Sequence, residues 1–455
     1  MTPDPQALEP QSLANPANPA DPANPANPAD PFVPVEASLR EVAAYHTRLG
    51  FTAFGGPAAH IALTYQHLVE QRRWLSQQQF LDTLGATQLV PGPNSTEMVI
   101  HIGYLKRGVP GMLVAGLCFI LPAFFITVVF AYFYVALGSL PQTAAVFYGI
   151  QPVIVAIILM AAYKLGLAAC RTAPMIGLAL LGLLLTLFTP INTLWVIVTG
   201  GVVGVLLALV QRGRGTLTVW LLPLGAFAGG MAPALHDVLQ HIVPQAAPNT
   251  IVAPLWELGW FFLVVGATLM GGGYVLVSYM QAGLIPPGWL TEQQVLDAIA
   301  VGQMTPGPLF TSAAFVGYIN QAQTAAGHDV RAGLIGAAVA AFAIFFPSFI
   351  IVLLLSPWIE RIRESFFASS FLDGVNAIVV GSIVATSLSL LFSTSRNPAN
   401  LVLPVRIGAA QLDLFVLLLF GAAGVVLVRL PKLNNVWLIL AGAVIGVGVG
   451  AIAGF

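Results

Sequence analysis

The sequence predicts an all-α protein that crosses a membrane many times, and three observations indicate this. Only 8% of the 455 residues are charged, 57% are hydrophobic, and the mean hydropathy is +0.86. A soluble protein of this length needs far more polar surface than these residues supply. Uncharged apolar runs of about 20 residues recur along the chain, which indicates spanning helices rather than the short alternating strands of a barrel.

The first 37 residues differ in composition from the rest. Ala-Asn-Pro and Ala-Asp-Pro triplets repeat from Ala14 to Pro31. Proline at every third position prevents a helix, and there is little apolar surface to bury, so we expect a disordered tail. It lacks the basic and apolar regions of a secretory signal.

Two kinds of apolar segment follow the tail. Nine uncharged runs are long enough to span: 111–137, 142–163, 174–190, 192–211, 217–235, 332–356, 374–395, 414–428 and 436–455. Two less regular pairs carry a Gly/Pro break in the middle of each segment: 46–69 with 78–105, and 256–281 with 293–319. These broken segments either span the membrane or re-enter it, because irregular backbone is tolerated there only beside protein or a wet cavity.

The chain contains an internal duplication. Sixteen residues separate Trp74 from Pro91-Gly92-Pro93, and the same number separates Trp289 from Pro306-Gly307-Pro308. The segment Thr52–Gly56 likewise matches Thr268–Gly272. We therefore predict a tail (1–37), a first repeat (38–214), a linker with one extra spanning helix (215–255) and a second repeat (256–455), each repeat having broken helices followed by about four spanning helices.

Charge placement predicts the orientation. If the broken segments re-enter, all basic residues of the first repeat lie on one side, which the positive-inside rule makes cytoplasmic together with the N-terminus. An extra span at 217–235 would invert the second repeat, a common plan in secondary transporters. Parallel repeats remain an alternative, because the charges of the second repeat are less decisive.

The broken helices are the predicted functional site. A helix that restarts after a Pro-Gly-Pro break presents free N–H groups and the positive end of its dipole, which suits an anion. Two such sets facing each other would form one central site; the alternative is that they are simple packing kinks. The candidate binding residues are Gly55, Gly56, Pro57, Gln88, Pro91, Gly92, Pro93, Asn94, Ser95 and Thr96 in the first repeat, and Gly271, Gly272, Gly273, Gln303, Pro306, Gly307, Pro308, Thr311 and Ser312 in the second.

Titratable residues near the breaks are candidates for proton coupling. Glu97 is the first of these, although its spacing from Asn94 also fits a helix cap. Asp82 and Asp297 occupy equivalent positions of the two repeats and fit structural hydrogen bonds equally well. Single histidines near helix ends, here His60, His67 and His101, are typical of membrane interfaces. Four basic residues could attract an anion or simply set topology: Arg72, Arg73, Lys106 and Arg107.

The first repeat resembles the chromate ion transporter (CHR) family. The resemblance rests on Gly55-Gly56, Val69, Trp74, Pro91-Gly92-Pro93, Gly103 and Gly111 at their spacing. It extends from about residue 38 to the end of the chain, as in the family's long two-domain members. The resemblance implies proton-motive-force-driven efflux of chromate across the bacterial inner membrane, chromate resistance, and halves of opposite orientation.

Other functions are disfavoured by the sequence, except for one close alternative. A carrier of another oxyanion, such as sulfate, fits the same residues. A lipid-phosphate or prenyl enzyme needs acidic clusters or a basic phosphate site, and a primary pump needs a P-loop. None of these three features occurs in the sequence. We expect no enzyme activity, cofactor or metal. The net charge of −1 also disfavours a nucleic-acid partner. The expected partners are chromate, protons and the lipid bilayer; sulfate could compete, and a homodimer remains open.

Overall fold

The structure is a computed structural model of the chain. The residues it describes are 35–54, 57–87, 91–137, 141–189, 191, 193–212, 251–270, 272–324, 327–356, 365–396, 402–407, 410–431 and 433–453. Most of the proline-rich tail and the predicted span 217–235 lie outside the described residues.

The described part of the first repeat consists of seven helices. Ser38 caps the first of them through a capping box with Glu41, which satisfies the free amides of its first turn. The helices are α1 (Leu39–Thr52), α2 (Pro57–Tyr65, extended by a π-helical turn at Gln66–Gln71), α3 (Gln77–Thr87), α4 (Asn94–Leu137), α5 (Pro141–Ala169), α6 (Ala173–Phe188) and α7 (Thr193–Gln211).

The second repeat has helices in the same order, with two short additions. Its helices are α8 (Leu255–Thr268), α9 (Val275–Leu284), α10 (Glu292–Met304), a 3₁₀ turn (Leu309–Thr311), α11 (Ser312–Ala322), α12 (Val330–Leu355), α13 (Phe366–Ser395), α14 (Leu414–Arg429) and α15 (Asn435–Ala453). Two antiparallel hairpins separate helices: β1 (Gln323–Thr324) with β2 (Gly327–His328), and β3 (Pro404–Ile407) with β4 (Ala410–Asp413).

Eight described helices coincide with predicted spans. Six of them, α4, α5, α7, α12, α13 and α15, are long and apolar enough to cross a membrane. The other two, α6 and α14, are apolar helices of 16 residues each. The described part of the chain is therefore a multi-pass membrane protein with four such helices in each repeat, as the sequence predicts.

The long helix α4 is two helices joined by a sharp reversal. Arg107 and Gly108 have non-helical dihedral angles, and Gly108 has a φ of 60°, which glycine adopts without strain. The segment before the reversal folds back on the segment after it, so that Gly103 lies against Gly111. In the second repeat α11 folds back on α12 in the same way, with Gly317 against Gly336.

The broken segments of the first repeat re-enter the membrane rather than span it. The two ends of the α1–α2 hairpin lie together. Val35, four residues before α1, donates its N–H to the carbonyl of Arg73, which follows the π-helical extension of α2, at 3.1 Å. The end of the second broken pair returns to the same place, where Arg107 Nε donates to the Ala37 carbonyl at 2.5 Å. Helices α1–α3 and the first part of α4 thus form two hairpins with a common base.

The second repeat has the same arrangement. The Ile251 N–H donates to the Gly288 carbonyl at 2.7 Å, which joins the two ends of the α8–α9 hairpin. The Asn320 side chain, at the end of α11, donates to the carbonyls of Ile251 and Trp289 at 3.0 and 2.9 Å. Both hairpins of this repeat therefore also share one base.

The two bases lie at opposite ends of the molecule. His328, at the start of α12, packs on Tyr132 near the end of α4, with ring centroids 5.3 Å apart. Ser356, just after α12, contacts His101 near the base of the first repeat, with Oγ and Nε2 3.2 Å apart. Helices α4 and α12 are therefore antiparallel, and the two repeats have inverted topology.

The later helices are exchanged between the repeats. Gly149 of α5 lies against Gly442 and Gly446 of α15, and Gly374 of α13 lies in the same way against Gly200 and Gly204 of α7. Small residues at these crossings let the backbones approach closely, as in other membrane helix pairs. The repeats are thus interlocked: α9 and α10 of the second repeat pack against the exchanged helices, whereas α1, α2 and α3 of the first repeat pack against α4.

Candidate functional site

The tips of the hairpins from the two repeats meet and hydrogen-bond to each other. The Gly92 N–H donates to the Leu269 carbonyl at 2.7 Å, and the Gly307 N–H donates to the Ala53 carbonyl at 3.0 Å. Gly92 and Gly307 occupy the same repeat position, as do Ala53 and Leu269. The contact is therefore reciprocal, as expected around a two-fold axis, and it joins all four breaks.

Both glycines are required by the local backbone. Gly92 has a φ of 137° and Gly307 a φ of 89°, a region that residues with a Cβ rarely adopt. A Cβ at Gly92 would overlap the Glu97 carboxyl and lie 2.8 Å from Ser348 Oγ. A Cβ at Gly307 would lie 2.8 Å from the Ala123 methyl.

The tips lie at the middle of the membrane-spanning region. Gly307 and Gly50 pack against residues 118–123, close to the midpoint of the second part of α4. Gly92 packs against Ser348, near the middle of α12. Helix α1 has 14 residues and so rises about 21 Å, more than half of a hydrocarbon core of about 30 Å.

Buried polar atoms without partners surround the first tip, which we define as Pro91–Glu97 with Ser348. The Thr96 hydroxyl, both carboxyl oxygens of Glu97 and the Ser348 hydroxyl are inaccessible and have no hydrogen-bond partner among the described residues. Buried polar groups are normally satisfied, so such a cluster marks a place where a ligand or water belongs. The capping-box expectation for Glu97 is wrong, since its carboxyl does not reach back to Asn94.

The second tip, Pro306–Ser312 with Ala123, has the same backbone but satisfied side chains. The Thr311 hydroxyl donates to the Pro308 carbonyl at 2.9 Å, and the Ser312 hydroxyl donates to the Leu309 carbonyl at 2.7 Å. Ala123 takes the place that Ser348 has at the first tip. The second tip therefore presents mainly backbone groups.

The helix start at the first tip has free donor capacity. The first intrahelical bonds of α4 run from the amides of Thr96 and Glu97 to the Pro93 carbonyl, at 2.7 and 3.0 Å. The amides of Asn94 and Ser95 precede these bonds and have no described partner. They lie at the positive end of the helix dipole, so this end of α4 favours negative charge.

His60 connects the two breaks of the first repeat. Its Nδ1 lies 3.2 Å from Ser95 Oγ, and its Nε2 lies 3.0 Å from the Ala53 carbonyl that also accepts from Gly307. The interfacial expectation is wrong for His60, which is 1% exposed and lies beside the tips, whereas His101 is 6% exposed but lies near the base of the first repeat. Helix–helix packing buries them, and the sequence contains no sign of which face of a short helix packs inward.

The remaining candidates are placed unevenly. Gln303 is buried at the last turn of α10, and Gly272 and Gly273 lie at the break after α8. The backbone of Pro57 begins α2. Four predicted site residues lie outside the described residues: Gly55, Gly56, Gln88 and Gly271.

The two equivalent aspartates have different environments. Asp297 is buried and accepts hydrogen bonds from the Tyr134 hydroxyl at 2.8 Å and the Gln151 amide at 3.0 Å. Asp82 is partly exposed and accepts from Gln78 at 3.1 Å. Because both partners of Asp297 come from the first repeat, this residue binds the two repeats together, away from the tips.

The four predicted basic residues gather at the base of the first hairpins. Arg107 forms an ion pair with Glu36 at 3.5 Å, and Lys106 Nζ lies 3.4 Å from the Val35 carbonyl. The Arg72 guanidinium lies 5.4 Å from the ring centres of both Tyr45 and Trp74. These contacts hold residues 35–37 at one end of the described part of the molecule. No group of three His, Cys, Asp or Glu among the described residues could hold a metal ion.

Comparison with known proteins identifies the family. The sequence profile named chromate transporter matches residues 40–205 and 256–447, one match for each repeat. The chain belongs to the chromate transporter family. It is 30% identical to a chromate transport protein of Cupriavidus metallidurans over 78% of this chain and 82% of that protein.

Two further members of the family give similar figures. A probable chromate transport protein of Synechococcus elongatus is 30% identical, covering 78% of this chain and 84% of the relative. A chromate transport protein of Pseudomonas aeruginosa is 29% identical, covering 84% and 88%. No solved structure matches the chain significantly.

Proposed function

We propose that this protein is a secondary active transporter that exports chromate across the bacterial inner membrane and so confers chromate resistance. The proposal assigns the driving force to the proton gradient or the membrane potential. The observation that carries it is the meeting of inverted hairpin tips at mid-membrane, where buried polar atoms of the first tip lack partners among the described residues. Substrate sites of secondary transporters occur at such broken helices, at the interface of inverted repeats.

The chemistry of the tips suits a tetrahedral dianion. Chromate needs several hydrogen-bond donors and not a full countercharge. The free amides of Asn94 and Ser95 and the Thr96 hydroxyl would bind it at the start of α4. We assign the remaining predicted tip residues, including those outside the described residues, to the same site.

Inverted repeats provide a means of alternating access. Each tip is reached from its own base, and the bases lie at opposite ends of α4 and α12. Rocking of one pair of hairpins against the other would expose the tips first to one side and then to the other. We assign the base with Arg72, Lys106 and Arg107 to the cytoplasm by the positive-inside rule, which places the N-terminus there as well.

A second oxyanion remains the alternative substrate. Sulfate has the same charge and shape as chromate, and hydrogen bonds from backbone amides would bind both. The names of the relatives above favour chromate.

Chromate flux into everted inner-membrane vesicles tests the proposal. Vesicles that contain the protein should accumulate chromate when energised, and an uncoupler should abolish the accumulation. Excess sulfate in the same assay reports whether the site distinguishes the two ions. Vesicles with the Gly92→Val variant, inserted in equal amount, are the matched control.

The outcomes separate the parts of the proposal. Uptake that persists with the uncoupler would contradict secondary active transport. Accumulation of sulfate without chromate would replace the substrate but keep the mechanism. Equal flux in vesicles that lack the protein would refute the transport function.

A further inference from the structure

The Glu97 carboxyl is a buried acid at the place proposed for the anion. It is fully buried, one of its oxygens lies against Gly92, and neither oxygen has a hydrogen-bond partner among the described residues. The Ser348 hydroxyl, also without a described partner, lies against the same glycine. One water molecule between the two side chains would hydrogen-bond to both.

No basic side chain of the described helices compensates this carboxyl. Helices α1, α2, α3, α10, α11 and α12 pack against α4. On these helices His60 is bonded to Ser95 and the Ala53 carbonyl, His46 to the Val42 carbonyl, and Asp297 to Tyr134 and Gln151. Their other charged side chains lie at helix ends or at exposed or partly exposed positions: Arg40, Glu41, Arg48, Asp82, Glu292 and Arg331.

Whether Glu97 repels or attracts a bound anion depends on whether its carboxyl is ionised. An ionised Glu97 would repel a dianion bound at the adjacent amides, and the low-dielectric surroundings would screen that repulsion poorly. A neutral Glu97 would donate a hydrogen bond to the anion or to Ser348. The anion-bound state therefore holds a proton on Glu97.

We propose that Glu97 is a proton-binding site whose occupation is coupled to anion binding, so that each dianion binds together with one proton. This inference rests on the proposed function and specifies its coupling. By linkage, protonation of Glu97 raises anion affinity, and anion binding raises proton affinity by the same factor.

The structure also provides a route for this proton. His101 lies one helical turn after Glu97 on α4, so the two side chains share a face. Its Nδ1 has no partner among the described residues, and its Nε2 lies 3.2 Å from Ser356 Oγ, at the partly exposed end of α12. The route ends at the base that carries Lys106 and Arg107.

The transfer balances as a proton relay. The Glu97 carboxyl gives its proton to Nδ1 of neutral His101, which leaves a carboxylate and an imidazolium. The imidazolium then releases the proton on Nε2, through the Ser356 hydroxyl, to water at the base. The ring returns to its first tautomer before the next proton. The same steps in reverse load Glu97 from this base, and loading is the direction that export of the dianion with its proton uses.

Binding of one proton together with each dianion determines which gradient drives export. A dianion that moves with one proton carries one net negative charge outward, so a membrane potential that is negative inside favours export. A pH gradient that is alkaline inside opposes it. At the second tip Ser312 replaces Glu97 and bonds its own helix, so only one of the two tips carries this proton site.

Calorimetric titration of the purified full chain tests the proposal. Chromate is titrated at a series of pH values, all of which keep it doubly ionised, in two buffers of different ionisation enthalpy. As the pH rises through the range in which Glu97 of the anion-free protein ionises, proton uptake by the wild type should rise toward one per chromate bound. Glu97→Gln should still bind chromate but take up none, and the control Ser387→Ala, whose hydroxyl bonds its own helix at Ile383, should behave like the wild type.

The results discriminate between this inference and the proposed function. Chromate binding without proton uptake in the wild type at every pH of the series, or uptake that persists in Glu97→Gln, would overturn the proton site and leave the transporter intact. Absence of chromate binding in the wild type would count against the proposed function itself. Since the wild-type proton count alone decides, the test does not depend on the folding of a variant. His101→Gln should slow proton exchange several-fold without changing the count, and an unchanged rate would refute the route.

Discussion

The two tips share a backbone and differ in their side chains. Gly92 and Gly307 both have positive φ and both donate to a carbonyl of the other repeat. Around Gly92 lie an acid and a hydroxyl without described partners, whereas Gly307 lies against a methyl group and the hydroxyls of the second tip bond to their own helix. The shared part builds the meeting point, and the differing part assigns the polar chemistry to one repeat.

This difference shows how a duplicated fold becomes asymmetric. The reciprocal hydrogen bonds depend on the backbone alone, so both copies need the Pro-Gly-Pro sequence. Side chains beside the tips are free to differ, and Glu97 with Ser348 has no counterpart in Ser312 with Ala123. The same pattern holds for Asp82 and Asp297, one partly exposed and one buried at the repeat interface.

The largest effect is expected from filling the tips. Gly92→Val should reduce transport by about 100-fold, because strain at positive φ and overlap with Glu97 together cost a few kcal/mol. Gly307→Val should cost about 10-fold, because the strain at positive φ is accompanied there by contact with the Ala123 methyl rather than by overlap with a carboxyl. Vesicle flux at matched expression measures both.

Gly421→Val is the matched control for these variants. Gly421 lies in α14, and a Cβ added there would meet open space, so its variant should transport like the wild type. Equal losses at all three glycines would show that the effect reports packing in general and not the tips.

A smaller effect should separate the two aspartates. Asp297→Asn should lower the free energy of unfolding by about 1–3 kcal/mol, because its new amide group would face two donors. Asp82→Asn, at a partly exposed position, should change it by less than about 0.5 kcal/mol. Thermal unfolding in detergent measures both, and similar values would contradict the asymmetry.

The smallest effect concerns the charges at the two bases. Lys106→Gln should lower the initial flux from the first base by about two- to three-fold at low ionic strength and by nothing at high salt. Arg331→Gln, at the opposite base, should leave that flux unchanged. A salt-independent loss for Lys106→Gln would indicate a structural role through its contact with Val35.

Much of the fold was predictable because lipid leaves few choices. The long uncharged runs predicted the eight described helices of spanning type, and the duplication predicted their order. Inversion was less certain from charge, because it depended on a segment outside the described residues. The structure establishes it through the antiparallel placement of α4 and α12.

The site was predictable only in its backbone. Pro-Gly-Pro and its repeat marked the breaks, since proline and glycine act locally. Ser348 was missed, although Pro122 and Pro347 match between the repeats, because a serine in an apolar helix carries no sign of what it faces. His60 was misjudged for the same reason, since burial depends on neighbours that are distant in sequence.

The sequence by itself determined the membrane class, the duplication, the positions of the breaks and the family. Each of these depends on composition or on residues close in the chain. Only the tertiary structure decided that the breaks re-enter, that tips of opposite repeats bond to each other, and that Glu97 meets Ser348. The physical reason is that these contacts join residues up to about 250 positions apart, and their free energy appears only when both helices are in place.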